Sequence, residues 1–242
     1  MVRPLPNVMT YKLLEACGRP GCPVCRVEQE SVERYLDNQF YENVNSPRWR
    51  DRLRASLGFC YEHAWLAVDK RLGDALGFTI IYHDVVNNIL RQLNESSSAP
   101  NLSARKPFLR KLSDEARARI ENILRVISPR NRCPVCEHRE EAIRIILSAL
   151  LEELRKSEMT DALQSSDGLC LPHLRLALEH VRDVSVLEKL LSIQREKLEG
   201  LKSELAEFIR KSDYQLIDKG FGPEGDAWLR AVSLVAGRSK SK

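Results

Sequence analysis

Apolar residues recur every three or four positions along most of this chain, which is the spacing of an α-helix. Four long stripes follow this period, and the last predicts a helix from about Val184 to about Ile209. No stretch alternates apolar and polar residues as a half-buried strand does, so the pattern predicts an all-α protein. The stripes are Val32, Leu36, Phe40, Val44; Phe78, Ile81, Tyr82, Val85, Ile89, Leu93; Ile143, Ile146, Leu147, Leu150, Leu151, Leu154; and Leu187, Leu190, Leu191, Leu198, Leu201, Leu205, Phe208.

Shorter helices are predicted from residues that commonly begin or end them. Ser46 and Pro47 suit the start of a helix over 47–57, and Gly58 suits its end. Ser113 is expected to cap a helix with the apolar side Ala116, Ile120, Leu124 and Ile127. Asp226 is expected to cap a last helix that docks on the body through Trp228, Leu229, Val232 and Val235.

The pattern occurs twice. Moving the first half by 111 residues places Val32 on Ile143 and Leu36 on Leu147, and a shift of 110 places Gly58 on Gly168. Matching apolar positions at one period indicate an internal duplication. The predicted division is a first repeat over 1–95, a polar linker over 96–112, a second repeat over 113–212 and a C-terminal segment over 213–242.

Composition and charge narrow the class of protein. Hydrophobic residues make up 43% and charged residues 30% of the 242 positions, as in an ordinary globular protein. The net charge of +4 permits an acidic partner without requiring one. The N-terminal residues do not resemble a secretory signal peptide, and no apolar run is long enough to predict a membrane span. Seven cysteines then indicate a reducing cytoplasm.

Six of the seven cysteines and two of the five histidines fall into a repeated motif. A Cys-Pro-Val-Cys knuckle is separated from a Gly-x-Cys-x-x-His motif by 34 residues between the cysteines in the first repeat and by 33 in the second. Three thiolates and one imidazole make up a closed tetrahedral zinc site. We therefore expect two zinc ions per chain, each held within one repeat: Cys22, Cys25, Cys60 and His63 for the first, and Cys133, Cys136, Cys170 and His173 for the second.

Three other interpretations of these cysteines stay open. Iron–sulfur clusters also use cysteine ligands, paired thiols can be redox-active, and a zinc ion with an open position can be catalytic. A thioredoxin-like dithiol would need a preceding strand, whereas helices are predicted before both knuckles. Four ligands in each set, without a His-Glu-x-x-His motif, favour structural zinc over these alternatives.

The other cysteine and histidines are interpreted as ordinary residues. Cys17 is expected to be a small buried apolar residue, and His83 and His180 are expected at the surface or its boundary. His138 follows a ligand cysteine by two positions, and exposure to solvent is favoured over a hydrogen bond to the metal site.

One basic cluster surrounds a tryptophan. Arginine beside an aromatic ring can bind phosphates and stack on bases. Asp51 interrupts the cluster, so nucleic-acid binding is a weak alternative that rests on Arg48, Arg50, Arg52 and Arg54.

The arrangement resembles an uncharacterised family of bacterial and archaeal proteins that is defined only as a domain of unknown function. The matching residues are both knuckles, both Gly-x-Cys-x-x-His motifs, residues 41–45 and residues 226–231. The resemblance covers nearly the full chain and supports the metal sites, but it brings no activity with it.

Three hypotheses of function follow. The first is a non-enzymatic, zinc-stabilised helical scaffold that binds a partner, most simply a protein, between its two halves. The second is a thiol-based redox switch in which oxidation of a knuckle releases the metal. The third is a zinc-dependent enzyme, which would need an open position on an ion.

Overall fold

The helices and their bounds come from a computed structural model, which describes residues 8–97, 114–212 and 220–237. Within these ranges the chain is helical and contains no strand, which confirms the all-α prediction. None of the described helices is both long and apolar enough to cross a membrane. The helices are α1 (Val8–Cys17), α2 (Pro23–Glu42), α3 (Pro47–Ser56), α4 (Tyr61–Asp69), α5 (Ala75–Ser97), α6 (Asp114–Ile127), α7 (Pro134–Glu153), α8 (Ser157–Ser165), α9 (Leu171–His180), α10 (Val184–Lys211) and α11 (Ala227–Ala236), with a short 3-10 helix at Pro223–Asp226.

The chain divides into two compact units that do not coincide with the two sequence repeats. The central unit is Val32–His138, and the terminal unit combines Met1–Ser31 with Arg139–Lys242. Both unit boundaries fall inside long helices, α2 and α7, so each of these helices begins in one unit and ends in the other. The first knuckle therefore lies in the unit that contains Cys170 and His173. The second knuckle lies in the unit that contains Cys60 and His63.

Helix length explains this exchange. Helix α2 has 20 residues and carries the chain about 30 Å away from the first knuckle. Helix α3 has only 10 residues and can return about 15 Å of that distance. The ring of Phe59, next to Cys60, lies 5.7 Å from that of Phe40 near the far end of α2. Helix α7 also has 20 residues and is followed by a helix of 9.

The terminal unit has a core built mainly on the second half of α7. Helix α1 packs against α8, and α10 packs against α8 and α11. The start of α2 adds Val24 and Val27 to this core, which are 0% and 2% exposed. The predicted stripe on α7 is buried here throughout: Ile143, Ile146, Leu147, Leu150, Leu151 and Leu154.

The central unit has a separate core with more aromatic residues. The predicted stripe on α2 supplies Val32, Leu36, Phe40 and Val44, all buried, together with Trp49 and Leu53 of α3. Phe40 packs against Phe78 with 4.3 Å between ring centroids. Helix α5 packs against α3 and α6, and the start of α7 brings Val135 into the same core.

Three predicted apolar faces are wrong in whole or in part. On α11 the residues expected to dock are half exposed, and Ala227 and Leu234 are buried instead. Among the described side chains of α6, Val126 is buried. On α10 Leu198 is exposed while Val186, Ile193 and Gln194 are buried. A helix with apolar residues on several sides can pack on more than one face, so its period alone does not select the face. The exposed residues are Trp228, Leu229, Val232 and Val235 on α11, and Ile120, Leu124 and Ile127 on α6.

Several helix limits agree with the predictions. Pro47 is the first residue of α3 after Ser46, although the Ser46 side chain makes no capping hydrogen bond. Helix α10 runs from Val184 to Lys211, close to the predicted range. Ser113 and most of the predicted linker over 96–112 lie outside the described residues, and positions 96 and 97 belong to α5.

Candidate metal centres

The eight predicted ligands gather into two clusters, but the clusters exchange partners between the repeats. In each cluster the four ligand atoms lie within 4.8 Å of one another. The prediction that each repeat supplies a whole site is therefore wrong, because the long helices α2 and α7 carry each knuckle away from its own Cys-x-x-His motif. The terminal site is Cys22, Cys25, Cys170 and His173, and the central site is Cys60, His63, Cys133 and Cys136.

In the terminal site the ring nitrogen Nδ1 of His173 faces three thiols. It lies 3.3 Å from Cys25 Sγ, 3.3 Å from Cys170 Sγ and 3.7 Å from Cys22 Sγ. The sulfur atoms of Cys25 and Cys170 are 3.6 Å apart.

The central site repeats this geometry closely. Nδ1 of His63 lies 3.2 Å from Cys60 Sγ, 3.4 Å from Cys136 Sγ and 3.8 Å from Cys133 Sγ. The sulfur atoms of Cys60 and Cys136 are again 3.6 Å apart.

These distances fit a tetrahedron around one ion. Zinc–sulfur bonds of about 2.3 Å and zinc–nitrogen bonds of about 2.0 Å place neighbouring tetrahedral ligands roughly 3.5–3.8 Å apart. A disulfide would need about 2.05 Å between sulfur atoms, and all the described cysteines are free. The two clusters could therefore each hold a metal ion through four side-chain ligands.

Helix N-termini position all the ligands. Helices α2 and α7 each begin at the proline of a knuckle, so its first cysteine precedes the helix and its second lies in the first turn. Cys60 and Cys170 occupy the N-cap positions of α4 and α9 in extended backbone, and each histidine lies one turn later. Because helix N-termini present unpaired N–H groups and a partial positive charge, they stabilise thiolates. Two helix N-termini meet at each site.

A glycine with positive φ shapes the turn before each Cys-x-x-His motif. Gly58 has φ 89° and Gly168 has φ 75°, a region in which other residues are strained. A Cβ at Gly58 would lie 3.2 Å from the ring of Tyr82, and one at Gly168 would lie 3.1 Å from the side chain of Lys197. The glycine of each motif is thus required by backbone conformation and by space.

Different side chains hold the two turns in place. In the terminal unit the buried amide of Gln194 accepts from the backbone N–H of Leu169 at 3.1 Å and donates to its carbonyl at 2.9 Å. In the central unit Tyr82 is hydrogen-bonded to the backbone of Phe59, the repeat equivalent of Leu169. The role of Gln194 was not predicted from the sequence, because this residue lies among the apolar residues of a long helix.

Glu28 orients the terminal histidine and was also missed from the sequence. Its Oε2 lies 3.1 Å from Nε2 of His173, the ring nitrogen on the far side from the thiols. Arg139 donates to the other oxygen of this carboxylate. A carboxylate behind a ligating histidine fixes the ring and strengthens metal binding. The sequence spacing could have indicated this role, because Glu28 lies three residues after Cys25 on the same helix face.

The corresponding position of the second repeat has the opposite charge. A shift of 111 places Glu28 on Arg139, so the two residues of this ion pair are themselves repeat equivalents. Arginine has no acceptor for an imidazole N–H. The central site therefore lacks a carboxylate at this position.

Burial and charge set the protonation of the terminal site. Burial first, then the neighbouring thiols, raises the pKa of Cys22 well above its ordinary value. Hydrogen bonds with Cys170, Cys22 and His173 lower the pKa of Cys25. Burial opposes charge on His173, but hydrogen bonds with Cys170, Cys25 and Glu28 raise its pKa to about 11.

The pKa values of Glu28 and Cys136 depend on the same two causes, burial and the neighbouring polar groups. Burial disfavours the charged form of Glu28, yet His173 and Arg139 together hold its pKa below the ordinary value. In the central site burial, followed by the neighbouring Cys60 and Cys133, raises the pKa of Cys136 to about 12. Metal binding at either site therefore has to displace protons and is favoured by rising pH.

The residues interpreted as ordinary lie outside both clusters. Cys17 is buried, and that burial raises the pKa of its thiol to about 11 despite a hydrogen bond with Ser166. His83 and His180 are exposed. His138 is half-buried and stacks on the ring of Tyr35 with 4.0 Å between centroids, so it is less open to solvent than expected.

The four arginines of the weak nucleic-acid hypothesis all lie on α3. Arg54 pairs with Asp84 at 2.6 Å and Asp51 at 2.5 Å, and Arg52 pairs with Glu137 at 2.6 Å. Arg50 donates to the carbonyl of Val44 at 2.9 Å, and Arg48 is exposed. Guanidinium groups held by carboxylates contribute less to phosphate binding, so the arrangement gives this hypothesis little support.

A cleft of about 740 Å³ borders the terminal site. Cys22 and Cys170 line one side of it, and α10 and α11 line the other. Among its charged groups, Arg230 pairs with both Glu204 and Asp226.

Comparison with known proteins gives a family but no activity. A family model described as "Family of unknown function (DUF6062)" matches residues 7–242. The chain is 27% identical over 228 residues to the "Uncharacterized 23.9 kDa protein in xynA 3'region" of Caldicellulosiruptor sp. (strain Rt8B.4). That match covers 93% of this chain and 99% of the relative. No solved structure matches the chain.

Proposed function

The chain belongs to this family of unknown function, and we propose that it is a zinc-stabilised helical scaffold whose two ions are structural and whose function is to bind a partner. Zinc suits a site of three thiolates and one imidazole in tetrahedral arrangement. Iron–sulfur ligation is the alternative for such cysteines, but a cluster would need more room than a set of ligand atoms within 4.8 Å provides.

The observation that carries this proposal is the closure of both ligand sets. In each set three thiols lie 3.2–3.8 Å from the histidine Nδ1, so four side-chain ligands are available to fill the coordination of a tetrahedral ion. Catalytic zinc commonly keeps three protein ligands and leaves one position for water. Four ligands therefore favour a structural role over a catalytic one.

The structural role has a clear physical basis. The two ligand pairs of the terminal site come from distant parts of the chain, since Cys25 and Cys170 are 145 positions apart. Zinc binding to structural sites contributes on the order of 10–16 kcal/mol near neutral pH. Clamping such distant segments holds the exchanged helices α2 and α7 in place. Thiols are kept reduced in the cytosol, so the free cysteines support a cytoplasmic location.

The partner is proposed to be a protein. Exposed apolar side chains on α4 and α11 offer surfaces of the kind that proteins bind, whereas most of the arginines of α3 are paired. The exposed residues include Tyr61, Trp65 and Val68 on α4.

The test is the metal content of protein purified without added metal. Two zinc ions per chain, with X-ray absorption showing three sulfur and one nitrogen neighbours, is the expected result. Removal of zinc by a chelator should lower the melting temperature steeply. Fewer than two ions per chain, an iron–sulfur spectrum, or an unchanged melting curve after verified zinc removal would each contradict the structural role.

A further inference from the structure

The two metal sites differ in how far their thiols are exposed. In the terminal site Cys22, Cys25 and Cys170 are 7%, 8% and 1% exposed. In the central site Cys133 and His63 are buried, but Cys60 and Cys136 are partly exposed. The same ligand set is thus fully buried in one unit and partly exposed in the other.

The end of α11 accounts for this difference. Gly237 follows α11, and a Cβ built on it would lie 3.7 Å from Cys170 Sγ and 4.0 Å from Cys25 Sγ. This backbone therefore covers the two thiols of the terminal site. Helix α11 follows α10, which it packs against, and it also packs against α9.

The corresponding thiols of the central site have no such cover in the described residues. The repeat shifts of 111 and 110 place Cys25 on Cys136 and Cys60 on Cys170. The two partly exposed central thiols are thus the equivalents of the two that Gly237 covers. Helix α5, the equivalent of α10, is followed by α6, which packs against α5 and leads to the second knuckle.

From this difference we propose that Cys60 and Cys136 form an oxidant-responsive thiolate pair, at which a peroxide forms a disulfide and opens the central site while the terminal site stays closed. The proposal rests on the proposed function in that it requires zinc at both sites. Because both sets contain three cysteines and one histidine, the exposure of their thiols decides which set reacts with peroxide.

The reaction balances with one peroxide molecule. One thiolate sulfur attacks a peroxide oxygen, the O–O bond breaks, and hydroxide leaves to give a sulfenic acid. The second thiolate attacks that sulfur, the S–O bond breaks, and a second hydroxide leaves to give the disulfide. Two protons from solvent convert both hydroxides to water, and two electrons pass from the sulfur pair to the peroxide.

The geometry suits the second step. Cys60 Sγ and Cys136 Sγ are 3.6 Å apart, so they must approach by about 1.5 Å to reach disulfide length. The same separation holds between Cys25 and Cys170, so distance alone does not distinguish the two pairs. After the reaction the central site keeps only Cys133 and His63 as ligands, which is too few for tight zinc binding.

The experiment is a titration of the full-length, zinc-loaded protein with hydrogen peroxide. Released zinc is read with a colorimetric chelator, and disulfides are mapped by mass spectrometry. We expect one zinc ion per chain to leave roughly tenfold or more faster than the second, together with a Cys60–Cys136 disulfide. Treatment with a thiol reductant and added zinc should restore the original content.

Matched histidine substitutions sharpen the test. Cys60→His keeps four ligands at the central site but removes one reactive thiolate, so the fast release should be lost. Cys170→His makes the same change at the terminal site, and the fast release should persist. If Cys60→His fails to hold two ions, disulfide mapping on the unsubstituted protein still decides the matter.

The outcomes separate this inference from the proposed function. Fewer than two zinc ions before peroxide is added would overturn the proposed function. Two ions that leave together, earlier release from the terminal site, or a disulfide between other cysteines would overturn only the inference.

Discussion

The terminal and central sites share one ligand set and nearly one geometry, yet the residues around them differ. The terminal site has Glu28 behind its histidine and the end of α11 over two of its thiols. The central site has arginine at the position equivalent to Glu28, and two of its thiols are partly exposed. After a duplication, ligands that bind the same metal are all retained, while their surroundings are free to diverge.

The comparison suggests a division of roles between the two sites. A buried site with an oriented histidine holds its metal firmly, whereas an open one can exchange or react. The predictions below test whether the terminal site depends on its surroundings and whether α11 contributes to them.

The largest expected effect comes from loss of a terminal ligand. Cys25→Ser removes a ligand that joins distant parts of the chain, so it should lower the free energy of unfolding by several kcal/mol or prevent folding. His83→Ala and His180→Ala change exposed side chains and should each stay within about 0.5 kcal/mol. Denaturant unfolding in the presence of zinc measures all three. Equal costs would show that the terminal ligand set does not stabilise the fold.

The next effect tests which face of α11 packs. Leu234 is 8% exposed, so Leu234→Ala should cost about 2–3 kcal/mol. Trp228 is 52% exposed, so Trp228→Ser should change stability by no more than about 0.5 kcal/mol. The matched pair is compared by thermal unfolding of zinc-loaded protein. If Trp228→Ser lowered stability more than Leu234→Ala, the packed face of α11 would be the one expected from the sequence.

A smaller effect concerns metal affinity. Glu28→Gln removes the charge behind His173 and should weaken zinc binding at the terminal site by about tenfold or more. Glu141→Gln, on the exposed surface of α7, is the control and should change nothing. Competition with a chelator of known affinity resolves the two sites. If the central site weakens instead, the assignment of Glu28 to the terminal histidine is wrong.

The smallest effect depends on pH. Lys211, at 2.6 Å, and the backbone N–H of Gly222 lower the pKa of Glu224 from its ordinary 4.5 to about 2. Because the folded pKa is depressed, the carboxylate stabilises the fold fully above the ordinary value, and this contribution is lost as pH falls towards 2. Glu224→Gln should therefore be less stable than the unsubstituted protein at pH 7.

The difference between the two proteins should shrink below pH 4.5. Melting temperatures of both proteins across this range provide the measurement, and release of zinc in acid affects both alike. A difference that grows as pH falls would contradict the sign.

The sequence by itself determined the local structure and the chemistry. The helical period of Val32, Leu36 and Phe40 and the duplicated cysteine motifs predicted an all-α protein with two clusters of metal-binding side chains, because periodicity and ligand type are local properties. The glycines before Cys60 and Cys170 marked turns for the same reason. None of these features depends on which distant segment lies nearby.

Only the tertiary structure decided which ligands share a site and how exposed each is. Two self-contained repeats and two exchanged ones have the same sequence pattern, and only the structure shows that the ligands cluster in the exchanged arrangement. Whether Cys136 is covered depends on what packs against it, and Gly237 covers Cys25 from more than 200 positions away. Such contacts follow from the path of the whole chain, which local periodicity does not contain.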